Sequence, residues 1–177
     1  MTVTGEGRGK GPELDINGDM LPGWNVIVAY TNQDVRTTKA NPGSNQVPGQ
    51  RFPDIPQNLG SFWTTYEFQQ ESLKGWKIGG GVIYHGSEPV FAFGGNFEGA
   101  SSMAAPYATV NLMGAYSFKF ADTKMTAQVN VTNLLDAAYY TQAGVLDSFA
   151  PRPGFAANAT RLCGAPLTIL GSLRAEF

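Results

Sequence analysis

Apolar and polar residues alternate along this chain in seven short runs. In the last, Ala165–Phe177, Leu167, Ile169, Gly171, Leu173, Ala175 and Phe177 share one face, and Thr168, Leu170, Ser172, Arg174 and Glu176 the other. A period of two predicts a β-strand with one apolar side. The pattern recurs upstream. Leu14, Ile16, Gly18 and Met20 alternate with Glu13, Asp15, Asn17 and Asp19. Trp24, Val26, Val28 and Tyr30 alternate with Asn25, Ile27, Ala29 and Thr31. A strand starting near Asn58 sets Phe62, Thr64, Tyr66 and Phe68 against Ser61, Trp63, Thr65 and Glu67. Trp76, Ile78, Gly80, Val82 and Tyr84 then alternate with Lys77, Gly79, Gly81, Ile83 and His85. The two remaining runs place Ala108 to Phe118 and Met125 to Val131 in the same rhythm.

The connections between these runs alternate in length. Pro22-Gly23, the segment Gln69 to Gly75 and Ala121-Asp122 are short. Asn32 to Gln57, Gly86 to Pro106 and about Ala137 to Gly164 are long, aperiodic and read as loops. About ten residues is the length a tilted strand needs to cross a bilayer. Short turns at one end and long loops at the other match an outer-membrane barrel. The expected fold is therefore all-β: part of a transmembrane antiparallel up-and-down β-barrel of about seven strands. Aromatics near strand ends (Trp24, Tyr30, Phe62, Phe68, Trp76, Tyr84, Tyr107, Tyr116 and Phe118) are expected to form the two interfacial girdles. A soluble β-sandwich would also alternate, with its apolar faces packed inward. The run Gly79-Gly80-Gly81 predicts a bend or a close approach.

Composition narrows the function. The 177 residues are 15% charged, 12% aromatic and include 22 Gly, with a formal net charge of −2. No basic patch emerges along the sequence, which argues against a nucleic-acid partner. Cys163 and His85 are the single cysteine and histidine. An internal disulfide is excluded, and a metal site or a nucleophile–base set is not expected. Neither enzyme activity nor a cofactor is expected. His85 has the parity of a polar residue facing the barrel lumen. Met1 to Glu6 lacks the basic and apolar regions of a secretory signal, so an outer-membrane reading expects further sequence in front.

Several segments carry a family resemblance. Thr4-Gly5-Glu6, Arg8, Gly11 and Glu13-Leu14-Asp15 look like the T-G-E-x-R-x-x-G-x-E-L-E segment of TonB-dependent siderophore receptors. Pro53 to Tyr66, with Ser61-Phe62-Trp63-Thr64-Thr65-Tyr66, resembles their S-L-W-T-T-Y strand, and Gly75 to Gly86 their Gly-rich one. Val129-Asn130-Val131-Thr132-Asn133-Leu134-Leu135-Asp136 and Tyr139-Tyr140 are similar to N-V-x-N-L-F-D-x-x-Y-Y, with Leu135 where Phe is usual. Gly164-Ala165-Pro166 to Phe177 resembles the closing strand, with Leu167 where Arg is common. The ferric-hydroxamate type is nearest in texture.

The resemblance implies that residues 1–177 are the carboxy-terminal part of a receptor barrel, without the family's signal peptide, TonB box, plug and earlier strands. It implies a Gram-negative outer membrane, a ferric siderophore as ligand, and TonB contact only through the plug and TonB box. Membrane lipid and the barrel assembly machinery are the other expected partners, with Phe177 as the assembly signal. Expected ligand contacts are the loop residues Phe91, Phe93, Phe97, Tyr139, Tyr140, Phe149, Arg152 and Phe155. Aromatic faces suit a bulky, partly apolar chelate, and Arg an anionic one. The competing readings are a passive porin or structural barrel, a non-functional truncated remnant, and the soluble sandwich.

Overall fold

The computed structural model describes residues 5–41, 47–93, 103–146 and 158–176. Their strands are β1 (Glu6–Lys10), β2 (Glu13–Leu21), β3 (Trp24–Asn32), β4 (Asp34–Lys39), β5 (Asn58–Glu67), β6 (Trp76–His85), β7 (Glu88–Pro89), β8 (Phe91–Phe93), β9 (Met103–Ala104), β10 (Tyr107–Phe120), β11 (Thr123–Thr132), β12 (Tyr140–Leu146), β13 (Asn158–Cys163) and β14 (Thr168–Glu176). Seven of them form one antiparallel meander in the order β2-β3-β5-β6-β10-β11-β14. These are the seven runs read from the sequence.

Register places each expected apolar set on one face. Opposed residues share a face. One row crosses all seven strands through Gly18, Val26, Thr64, Gly80, Leu112, Val131 and Ile169. Its neighbour on the other face runs through Asp19, Asn25, Thr65, Gly79, Met113, Asn130 and Leu170. The first face is apolar in every strand; the second is mixed and mostly polar.

The sheet is one layer thick. Among the described residues, the buried apolar side chains are Val90, Ala115 and Pro56. Ile169 and Leu173 are each 64% exposed, and Ile78 is 49% exposed. A sandwich would bury these against a second sheet. Here the apolar face has no protein over it among the described residues, and a face of this kind is satisfied by lipid. The aromatic belts flank it. At the short-turn end Trp76 packs on Tyr116 at 4.8 Å and Tyr116 on Phe118 at 5.8 Å. Tyr30 and Tyr84 stand on the same face at the other end, both in the row through Gly60. Trp76 to Tyr84 spans roughly 20 Å of height at barrel tilt, close to the roughly 25 Å apolar band of such proteins.

Local chemistry explains the turns. The β10–β11 turn has two central residues, Ala121 and Asp122, both with positive φ (45° and 68°). That geometry matches the right-handed twist of the flanking strands. The glycine run is a close approach. A Cβ on Gly81 would meet the Phe62 carbonyl and lie 2.5 Å from Trp63 Cε3, so the Trp63 ring occupies the space a side chain would need here. One on Gly79 would lie 2.9 Å from Thr65 Cγ2.

The Asn133-Leu134-Leu135-Asp136 segment ends β11 as a polar knot. Asn133 is 2% exposed. Its side chain donates to the Ala137 and Ala165 carbonyls (3.0 and 3.1 Å) and accepts from Ala137 N–H (3.0 Å). Asp136 accepts from Leu167 N–H at 2.9 Å. Both residues sit in the left-handed region (φ 52° and 48°), which Asn and Asp tolerate best among side-chain-bearing residues. The knot fixes where the third long connection leaves β11 and where β14 begins.

Two expectations need correction. The long connections are not irregular throughout: β4 lies in the first, β7, β8 and β9 in the second, and β12 and β13 in the third. Outside the hydrocarbon a strand needs no apolar face, so these segments show at most a faint alternation. Tyr107 is not in a girdle. It pairs opposite His85, on the inner face.

Two outcomes test this architecture in the intact protein, by guanidinium unfolding in lipid vesicles. Val82→Arg on the outward face should cost about 2–4 kcal/mol, while its neighbour Ile83→Arg on the inner face leaves stability near wild type. Asn133→Ala should cost about 3 kcal/mol, because it leaves several buried backbone groups unpaired.

Candidate functional site

The three long connections leave the sheet at one end, after β3, β6 and β11, and each is stitched to the next. Asp54 N–H donates to the Pro89 carbonyl at 2.9 Å, joining the first to the second. The backbone of β8 runs parallel to β12, pairing Phe91 with Gly144, Ala92 with Val145 and Phe93 with Leu146. That joins the second to the third, and β12 pairs in turn with β13.

Inside this mouth three rings form a column. His85 ends β6 and Tyr107 begins β10, directly opposite each other. Opposed side chains are neighbours, and these rings stack at 4.9 Å with planes 7° apart. Tyr139, from the third connection, stacks on Tyr107 at 4.4 Å. Gly164 makes room for it. Gly164 N–H donates to the Tyr139 carbonyl (2.8 Å), and a Cβ on Gly164 would strike the Tyr139 ring. The column therefore ties the third connection to two barrel strands.

A carboxyl sits beneath the column. Glu88, in β7, is 4% exposed. His85 Nδ1 donates to the Gly86 carbonyl at 3.1 Å, which leaves Nε2 3.8 Å from Glu88 Oε2. Loss of water holds the Glu88 carboxyl above the usual carboxylate range; His85 partly offsets this and Asp54 adds to it.

Of the expected contacts, Tyr139 lies in the column. Tyr140 stands apart, with the Arg161 guanidinium 4.9 Å from its ring centre. Phe91 and Phe93 lie on β8, against β12. Phe97, Phe149, Arg152, Phe155 and Phe177 lie outside the described residues. Tyr107, Glu88 and Arg161 were not foreseen. Tyr107 could have been found from its parity with His85. Glu88 gave no signal, being an acid in a long connection without periodicity.

The mouth presents planar ring faces, a phenol tip and a cation. Among the described residues no three His, Cys, Asp or Glu side chains gather as a metal site.

Comparison with known proteins decides the family. The family profile described as "TonB dependent receptor-like, beta-barrel" matches residues 1–134. The chain belongs to the TonB-dependent receptor family. The metal-pseudopaline receptor CntO of Pseudomonas aeruginosa is 31% identical over 141 residues, covering 80% of this chain and 18% of that protein. The probable TonB-dependent receptor BfrD of Bordetella pertussis is 29% identical over 163 residues, covering 88% and 20%. Among solved structures, P. aeruginosa FpvA bound to a heterologous pyoverdine superposes with a TM-score of 0.66 at 26% identity, over 94% of this chain and 19% of that one. The ferric yersiniabactin uptake receptor FyuA from Yersinia pestis, at 18% identity and a TM-score of 0.72, shares the fold over 98% of this chain and 24% of its own. The TonB-dependent receptor chain thus spans about a fifth of the length of the curated relatives it matches. Its place is the outer membrane, and the family consists of transport receptors rather than enzymes.

The Glu88 site predicts a pH response. The closed mouth binds the Glu88 proton more tightly than an opened one, so between the ordinary value of 4.5 and the raised one it holds more protons. Falling pH therefore tightens the mouth, and rising pH through that window loosens it. Hydrogen exchange corrected for intrinsic rates should show segments 86–90 and 139–146 better protected as pH falls. Glu88→Gln should flatten that dependence and be at least as protected at neutral pH.

Proposed function

We propose that this chain is the carboxy-terminal part of the barrel of an outer-membrane siderophore receptor that admits a ferric chelate from outside. The observation behind this reading is the pairing of a lipid-facing sheet with an aromatic mouth on its inner side. Named relatives include a metal-pseudopaline receptor and a ferric-pyoverdine 358 receptor of Pseudomonas putida. Both names describe receptors for metal chelates. In this reading the iron arrives already chelated, in keeping with a mouth whose described residues gather three stacked rings.

The proposed contacts are Tyr139, Tyr140, Phe91 and Phe93, with Phe97, Phe149, Arg152 and Phe155 completing the loops. Rings would cover the chelate's apolar parts and Arg its anionic ones. The motif texture favours the ferric-hydroxamate class. Energy from the TonB complex would act through the family's plug and TonB box, not through this sheet. Phe177 would serve the barrel assembly machinery.

The test is uptake of radiolabelled iron by iron-starved cells with the gene deleted or restored. The panel offers ferric hydroxamate, catecholate and mixed chelates. Uptake of one chelate should depend on the gene and on TonB, and Tyr140→Ala should weaken its binding about three- to tenfold at an unchanged receptor level. Gene-dependent uptake that persists without TonB would instead mark a passive pore.

A further inference from the structure

We propose that Tyr139 sits in an aryl-binding slot of the mouth and keeps it closed: its ring fills a place between the face of Tyr107 and the backbone of Gly164 that a peripheral aromatic ring of the chelate takes on binding. The inference rests on the transport reading above. It adds a subsite, the class of group that enters it and a contact that closes it.

The first wall of the slot is fixed. Tyr107 begins β10 directly opposite His85, the last residue of β6. Each of these strands is paired along both edges, β6 with β5 and β10 and β10 with β6 and β11, so neither backbone shifts alone. The His85 ring backs Tyr107 at 4.9 Å, 7° from parallel. That ring is held in turn by its bond to the Gly86 carbonyl (3.1 Å) and by Glu88 Oε2 at 3.8 Å. One face of Tyr107 is thereby taken, and the other faces the slot.

The second wall is a glycine for reasons of space. A Cβ on Gly164 would overlap Cδ2, Cε2 and Cζ of the Tyr139 ring. Gly164 does not have a left-handed φ, so its backbone conformation is open to any residue. What glycine supplies is room for a ring.

The occupant is held less firmly than the walls. Tyr139 stacks on Tyr107 at 4.4 Å with planes 27° apart, less parallel than the His85 stack. It is half-buried and lies outside the strands, between the Asn133 knot and β12. Its carbonyl accepts from Gly164 N–H at 2.8 Å, but among the described residues its hydroxyl has no hydrogen-bond partner. Rotation about its side-chain bonds therefore removes the ring without breaking a strand pair or that backbone bond.

The walls define what enters. A flat aryl group gains the offset stacking on Tyr107 that a saturated chain lacks. Tyr139 is itself a phenol, so the slot already holds a ring of the class it would accept. The entering ring need not bind iron. A hydroxamate chelate carrying an aryl group at its periphery suits both the slot and the class favoured above. Only receptors with the slot open accept that ring, so the apparent affinity falls with the open fraction. One stacking contact favours the closed form about three- to tenfold.

The experiment uses the full-length receptor in detergent and two ferric chelates of one linear tris-hydroxamate. The free amine is capped by a benzoyl group in one and by an acetyl group in the other, so the pair differ by a single ring. Binding is followed by stopped-flow quenching of tryptophan fluorescence. In the wild type the observed rate for the benzoyl chelate should level off with concentration, at the rate at which Tyr139 leaves, while that for the acetyl chelate rises linearly. Tyr139→Ala should make the benzoyl rate linear and tighten its binding about three- to tenfold, with no gain for the acetyl chelate. Tyr139→Phe, which keeps the ring, should behave as wild type. Adding Gly164→Ala to Tyr139→Ala should abolish the gain. A linear benzoyl rate in the wild type would overturn the proposal, as would an equal change for both chelates in Tyr139→Ala. Failure of the transport reading leaves a different mark, since neither chelate then binds. The slot is read without any chelate by p-cresol, the tyrosine side chain itself, in saturation-transfer NMR. It should bind Tyr139→Ala and neither the wild type nor the double variant; no binding to Tyr139→Ala would also overturn the slot.

Discussion

Backbone hydrogen bonding in a medium without water is the constraint on which this structure rests. In hydrocarbon each unpaired N–H or C=O costs several kcal/mol. Each pair of neighbours in the seven-stranded sheet is therefore in register over most of its length. The ladder from Gly18 to Ile169 shows the result: a side chain's position in its strand decides which solvent it meets. The outward face needs no partner from the chain, so the molecule has almost no buried apolar core. Stability moves from side-chain packing to the ladder, the aromatic belts and polar knots such as that of Asn133.

The same constraint explains what could be read from the sequence. Hydrocarbon demands strict alternation, so all seven spanning strands were legible. Above the membrane that demand lapses. In β4, Val35 and Thr37 alternate with Asp34, Arg36 and Thr38, but the contrast is too slight to mark a strand. In β12, long-range pairing with β8 and β13 makes a strand where no local pattern exists. The glycine run signalled close approach; only the structure names Trp63 as the ring it admits.

The mouth was half legible. The resemblance pointed to Tyr139 and Tyr140, and parity placed His85 inside. The column needs Tyr107 as well, which was assigned to the girdle because it is aromatic and near a strand end. Position favoured either belt or lumen, and register decides between them.

The parallel contact of β8 with β12 bears on protein engineering. Binding loops on barrels are usually treated as exchangeable modules, grafted one at a time to change what a receptor recognises. Here the second and third loops share a ladder of three residue pairs, and the first is tied to the second through Asp54 and Pro89. A graft of one loop alone would leave its neighbour with a severed edge. The unit of exchange, in the laboratory or in evolution, is the whole set.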